Sequence, residues 1–498
     1  MPGLPDVTQA DDELQAGDPG ADAGAAHARH LTLILVLCCL GSFLVVLDVS
    51  IVNTALPVIR RSLDFSAVEL QWVVNAYGLT FAGFLLLGGR ASDILGRREM
   101  LAAGMGLLAV ASLAGGLAPS KDLLIAARAA QGLAGAIIFP ATLSVLMTTF
   151  REGADRNRVL GLWAAIGGVG GTSGALFGGI LTQLLSWRWI LLINFPFGIV
   201  GALAVLRVVP RGLGDRHARR SFDFAGALTV TAGLITLSYA IVGTEQHGWG
   251  SQRTLGVAAV GIALLATFLL IEARIATAPL VPLRLFRSRS LSGASLVVAC
   301  MGAGTFGMWY LVSLYLQQVL GYNPIEAGLV FLPMNLMIVL CPQIASRLTT
   351  RFGGGIVLTG GLALISLGNL LFSGVSADGS YLADVLAPSL VVTAGHGLSL
   401  VTATILASTG VRGAESGLVS GVVSTSRQIG GSLGLALLAT VAAQRTADLS
   451  GAANDVALAA GYQRAFVVAS AIAALGAVTA LALLVLRRPR AIVVADSA

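Results

Sequence analysis

Four ionisable side chains stand inside long apolar runs of this chain: Asp48 in LVVLDVSIVNTALP, Arg128 in IAARAAQGLAGA, His396 in TAGHGLSL and Arg427 in STSRQIGGSLG. A charge held within hydrocarbon costs about 2.5–3.5 kcal/mol or more, so such groups are paired or functional. Asp48 is the one acid well away from the ends of its run. Two chemistries fit it. It either neutralises a buried arginine permanently, or it takes up and releases a proton when a conformational change alters its burial or its distance from a guanidinium. Arg128 is the partner that depth favours. Asp48 lies nine residues before Pro57 and Arg128 six after Asp122, which at about 1.5 Å per residue puts them within about 5 Å of one depth. His396 stands apart from other titratable groups in its run and suits packing or hydrogen bonding. Arg427 sits among Gly421, Gly430, Gly431 and Gly434, where helices approach closely, and fits a structural donor and a ligand contact equally.

Nucleophilic chemistry is the rival. Gly171-Thr172-Ser173-Gly174 resembles the nucleophile motif of intramembrane serine proteases, with His396 as a base, and Gly430-Gly431-Ser432-Leu433-Gly434 fits a hydrolase elbow. Among 62 glycines such matches arise by chance, and the elbow requires a strand-turn-helix setting. The chain is therefore not expected to be an enzyme. Cys38, Cys39, Cys300 and Cys341 all lie in apolar runs, without metal-ligand spacing or a disulfide framework.

The elements that position these groups are membrane helices. The 498 residues are 56% hydrophobic and 11% charged, with mean hydropathy +0.85, more apolar surface than one water-soluble core can bury. From Leu31 onward, apolar runs of about 20 residues, enough to cross ~30 Å of hydrocarbon, alternate with short polar breaks. Fourteen are counted: 31–57, 69–90, 100–118, 122–149, 158–183, 189–208, 223–243, 254–273, 290–318, 325–346, 354–374, 382–408, 415–443 and 462–486. The expected fold is an all-α polytopic membrane protein with fourteen transmembrane helices. Residues 1–30 carry six acids and one arginine among Gly, Ala and Pro, the composition of a disordered acidic tail. An acidic start before a long apolar run does not match a cleaved export signal.

The net charge of +6 does not point to nucleic acid, because the arginines are scattered through short loops. They report topology. With an even number of spans both termini face the cytoplasm, and 22 of the 31 basic residues then fall inside, seven outside and two within spans. That asymmetry follows the positive-inside rule.

Between the second and third spans runs Gly89-Arg90-Ala91-Ser92-Asp93-Ile94-Leu95-Gly96-Arg97-Arg98. Its Gly89, Asp93, Gly96, Arg97 and Arg98 resemble the loop signature of the major facilitator superfamily. Leu47 to Pro57, LDVSIVNTALP, resembles the first-span signature of its fourteen-span drug:proton antiporters. Arg128, Gln131, Gly132, Gly135 and Pro140 match the fourth-span motif; Trp187-Arg188-Trp189 with Asn194 and Pro196 match the start of span six; Thr425, Arg427, Gln428, Gly430 and Gly431 match span thirteen. Arg347, Arg351 and Gly353 echo the first loop signature in the second half. Two positions depart: Ala175 stands where the fifth-span motif carries Pro, and Ile94 where the loop signature carries Arg.

The resemblance implies a major facilitator fold of two six-helix bundles, 31–208 and 290–486, around a central cavity. Two helices are inserted in 209–289, and a cytoplasmic tail covers 487–498. It implies alternating access about a mid-membrane site and proton-coupled efflux of amphipathic drugs or antibiotics, with Asp48 and Arg128 in proton coupling. Residues 89–98 would form the gating latch, through Asp93 and the two arginines. Partners would be a small amphipathic substrate, protons and the bilayer, with no cofactor beyond the proton gradient, in a monomer. Export or symport of a cellular metabolite is the alternative, since the fold serves both directions. Expected cavity residues are Asn53, Phe139, Trp163, Phe306, Trp309, Tyr310, Asn335, Gln343, His396 and Arg427, lining apolar and aromatic walls with few polar anchors. A lone central acid favours a neutral, monocationic or zwitterionic substrate over a dication. Rich Ala, Gly and Arg with a single Lys suggest a high-GC bacterium, hence a bacterial cytoplasmic membrane.

Overall fold

A computed structural model describes residues 19–482 apart from 152, 212–222, 277–278, 282, 409–415 and 450. The described residues contain no strand. The long helices are α1 (Pro19–Ser50), α2 (Trp72–Leu95), α3 (Arg97–Gly116), α4 (Lys121–Thr149), α5 (Ala154–Leu184), α6 (Asn194–Val208), α7 (Phe224–His247) and α8 (Gln252–Leu270), followed by α9 (Arg289–Gln318), α10 (Pro324–Phe352), α11 (Gly354–Phe372), α12 (Ala387–Ser408), α13 (Ser416–Asp448) and α14 (Asn454–Ala480). Thirteen described helices are long and apolar enough to cross a membrane. The 33-residue α13 has the length too, but Arg427, Gln428 and its serines and glycines dilute its hydropathy.

Two helix starts differ most from the apolar runs. Helix α1 starts at Pro19, inside the segment expected to be disordered; residues 1–18 and 487–498 lie outside the described residues. Ala21 to Arg29 is rich in alanine, the best helix former, and extending an existing helix needs no new nucleus. Helix α14 begins at Asn454, eight residues before the expected Tyr462. An apolar run registers the hydrocarbon crossing and not the polar turn that precedes it.

Local chemistry sets the ends. Ser120 caps α4 by accepting from the Leu123 N–H, and Asn323 with Glu326 forms a capping box ahead of Pro324 at α10. Gly96 joins α2 to α3 at φ 107° and Gly353 joins α10 to α11 at φ 86°, a left-handed conformation that favours glycine. The echo between the two loops is thus an echo of backbone shape.

Helices α1 to α6 pack on one another, as do α9 to α14, and the two sets meet chiefly where α5 lies on α10 and α2 on α13. Helix α5 is unbroken for 31 residues through Ala175, as the missing proline allows. Its Gly174 lies so close to α1 that a Cβ there would collide with Ser50 Oγ. Helices α7 and α8 pair with each other, and α7 rests on both α2 and α13. At the far end of α7, Trp249 Nε1 donates to Gln444 Oε1 of α13 at 3.4 Å. Leu184, Val200, Leu228, Ile262 and Val478 point outward and exposed, as a lipid-facing surface requires.

Candidate functional site

The Asp48 carboxylate is completely buried and carries three donors. Arg128 donates from a terminal guanidinium nitrogen to Oδ2 at 2.8 Å. Gln131 Nε2 and Asn194 Nδ2 donate to Oδ1 at 2.9 and 2.8 Å. Arg128 also donates to the Val73 carbonyl and to Gln131 Oε1, both at 2.9 Å, while Gln131 Nε2 reaches Ser112 Oγ at 2.8 Å. The guanidinium lies 4.7 Å from the centroid of the Tyr77 ring, a cation–π contact in a desolvated place. Helices α1, α2, α3, α4 and α6 therefore converge on one carboxylate. The predicted pairing of Asp48 with Arg128 is what the structure contains. Ser112 was not singled out by sequence, and Gln131 and Asn194 appeared there only as motif matches.

Just beyond Asp48 the first span changes course. Helix α1 ends at Ser50, a 3-10 turn follows at Asn53–Ala55, and a short helix runs over Leu56–Leu63. Pro57 has no N–H to offer the carbonyl four residues back. That carbonyl, of Asn53, instead accepts from Ser313 Oγ of α9 at 2.6 Å. Gln317 Nε2, one turn further along α9, donates to the Thr54 carbonyl at 3.0 Å. The Ser50, Asn53 and Thr54 side chains turn back onto the carbonyls of Leu47, Val49 and Ile51. The LDVSIVNTALP segment thus places an acid at mid-depth and, five residues on, frees a backbone acceptor that ties the two helix sets together.

At the opposite, arginine-rich end, Asp93 and Arg97 pair at 3.4 Å across the α2–α3 junction, with the Asp93 side chain half exposed. Arg98 is nearly buried and donates to the Leu206 carbonyl in the last turn of α6, where a cation is favoured. Gly89 packs near Pro140 of α4. The expected latch residues are therefore gathered where α2, α3, α4 and α6 meet.

The aromatic residues fall into two groups. In the first set of helices Phe139 lies 5.0 Å from Trp163 and 6.3 Å from Phe81, and Phe81 continues to Tyr77 at 6.1 Å, linking the aromatics to Arg128. In the second set Phe306 stacks on Trp309 at 5.8 Å, and Trp309 lies 5.9 Å from His396. His396 Nδ1 contacts Thr305 Oγ1 at 3.2 Å, not Ser173. The Arg427 guanidinium sits 5.8 Å from the Phe306 ring centroid, and its buried Nε has no hydrogen-bond partner among the described residues. Asn335 is half buried on α10, and Gln343 is exposed further along that helix. Tyr310 does not join the Phe306–Trp309–His396 group; it lines a cavity at the arginine-poor end.

A model of the Major Facilitator Superfamily matches residues 38–435. The cephamycin export protein CmcT of Amycolatopsis lactamdurans is 38% identical over 437 residues, spanning 88% of this chain and 89% of its own. The puromycin resistance protein pur8 of Streptomyces alboniger is 36% identical over 435 residues, 86% and 85% of the two chains. Among solved structures, a bacterial homologue of the human lysosomal transporter Spinster, inward-facing and unoccupied, superposes with a TM-score of 0.64 over 91% of this chain and 97% of that one. At 15% identity that likeness is one of fold. With the family's pattern running through most of the chain, this protein belongs to the Major Facilitator Superfamily.

Proposed function

We propose that this protein exports amphipathic small molecules, drugs or antibiotics, in exchange for protons, by alternating access across a bacterial cytoplasmic membrane. Relatives that share most of its length are named for cephamycin export and puromycin resistance. In this reading α1 to α6 and α9 to α14 are the two rocking bundles of a fourteen-span antiporter, and α7–α8 is the inserted pair. The arginine-rich end is cytoplasmic, and both termini lie there.

The observation that carries proton coupling is the enclosure of Asp48 by three donors on two other helices, Arg128 and Gln131 on α4 and Asn194 on α6. Any shift of α1 against α4 and α6 changes how well the carboxylate's charge is compensated, and so changes its hold on a proton. The same first span, in the turn just beyond α1, bears the Asn53 and Thr54 carbonyls that close the outer end. Opening there pulls on the helix that holds Asp48. Protonation and access are linked through one span, while Phe139 with Trp163 and Phe306 with Trp309 supply apolar walls for cargo on the two facing sides.

Two measurements test the proposal. A panel of drugs and natural products is assayed for growth protection in an efflux-deficient host. Asp48→Asn is then assayed in proteoliposomes. The expected outcome is loss of ΔpH-driven transport with residual substrate binding that no longer varies with pH across an assay window of about 5.5 to 8. A well-folded Asp48→Asn that still pumps against a gradient refutes proton coupling at this site.

A further inference from the structure

Where the two helix sets part at the arginine-poor end they leave a cavity of about 960 Å³, large enough for a drug-sized molecule. Arg60, Phe65, Tyr310, Leu314, Gln317 and Tyr462 are among its walls. Its inner limit is the closure already described, Ser313 on Asn53 and Gln317 on Thr54, two turns of the first span inward from Arg60. A molecule passing outward through that closure meets this cavity before bulk water.

The cavity wall carries two arginines, Arg60 and Arg61, against one acid, Asp64. Arg60 is half buried, and among the described residues its guanidinium forms no ion pair or hydrogen bond. Arg61 turns its Nε back to the Pro57 carbonyl at 3.4 Å. The acid in the wall, Asp64, is exposed and acts electrostatically on Lys121. In the same wall Tyr310 is 1% exposed, and its buried hydroxyl has no hydrogen-bond partner among the described residues. Arg60 lies within electrostatic reach of both the Tyr310 and Tyr462 hydroxyls. The Tyr462 hydroxyl is already committed to Gln318 Oε1 at 3.2 Å, so its contribution is the ring. A buried hydroxyl without a partner is costly, and a half-buried guanidinium outside any ion pair is available for a charge-assisted contact. Both needs are met by one ligand feature.

We propose that this cavity binds an organic anion with an apolar body, its anionic oxygens taking donors from Arg60 and Tyr310 and its body packing on Tyr462, Phe65 and Leu314. As a release site for exported cargo it rests on the efflux reading; as an anion site it stands by itself. The same chemistry is offered by a soluble carboxylate and by an anionic lipid headgroup with its acyl chains.

The test uses the full chain in nanodiscs of neutral phosphatidylcholine, with no gradient, and radiolabelled 1-naphthaleneacetate against its uncharged amide. The acid should bind about tenfold more tightly than the amide, as a charge-assisted contact predicts. Arg60→Gln should abolish that preference, Tyr310→Phe should weaken the acid about threefold, and Arg253→Gln, on α8 outside the cavity, should change neither. Equal affinity of the native protein for acid and amide overturns the site, as does an intact preference in folded Arg60→Gln. Should Arg60→Gln unfold, Tyr310→Phe decides: unchanged acid affinity overturns the proposal. In discs containing phosphatidylglycerol, displacement of the acid supports the site with lipid as occupant, and undiminished binding supports it with a soluble anion. Acid preference without drug protection in cells would leave this site standing and remove the efflux reading.

Discussion

Asn194 donates a hydrogen bond to Asp48 across 2.8 Å, although 146 positions separate them. Both side chains are fully buried. A hydrogen bond to a charged group contributes about 1.5–3 kcal/mol, so Asn194→Ala should lower the thermal unfolding temperature and alter the pH dependence of transport. Asn194→Asp, which sets a second carboxyl against the first, should impair folding more. Unfolding scans and transport at several external pH values check both, and a pH profile unmoved in a folded Asn194→Ala would show that the donor plays no part in coupling.

Arg128 supplies the counter-charge, and its removal strands a buried carboxylate. Arg128→Ala should cost about 3–5 kcal/mol, and Arg128→Lys should rescue poorly because an ammonium cannot reproduce the fork to Val73, Asp48 and Gln131. Replacing both partners, Asp48→Leu with Arg128→Met, should recover most of the stability, since apolar residues of similar volume can substitute for a buried pair. Stability from thermal unfolding and ΔpH-driven uptake into inverted vesicles separate the roles. A double variant that folds and still couples to protons would mark the pair as structural.

Ser313 and Gln317 close the outer end through backbone carbonyls of the first span. Losing both hydrogen bonds in Ser313→Ala with Gln317→Leu, each bond being about 1 kcal/mol, should shift the access equilibrium outward by up to about thirtyfold. The readout is the labelling rate of Phe306→Cys by an impermeant maleimide from the outer face, in a background without native cysteines. An unchanged rate would place the barrier elsewhere.

Asp93 pairs with Arg97 at the surface, where such a contact is worth about 0–1 kcal/mol. Asp93→Asn should therefore leave the unfolding temperature in place and slow turnover more than it weakens substrate binding. Fluorescence quenching and vesicle transport measure the two separately. Equal losses would contradict a gating role for the loop.

The sequence by itself determined the membrane helices, because hydrocarbon thickness sets the length of an apolar run and excludes charge from it. For the same reason it exposed Asp48 and Arg128: few ionisable groups survive in lipid, and a constant helical rise places them at one depth. What it could not decide was rotation. Amides and hydroxyls are common in these spans, and only the packing of α3, α4 and α6 turns Ser112, Gln131 and Asn194 inward to the Asp48 network. The partner of the Asn53 carbonyl stands 260 positions away on a helix of the other set. Tyr310, one residue beyond Trp309, faces the outer cavity while Trp309 faces His396, because successive residues on a helix point about 100° apart. Depth in the membrane is written along one dimension and can be read from the chain; direction around each helix is set by its neighbours.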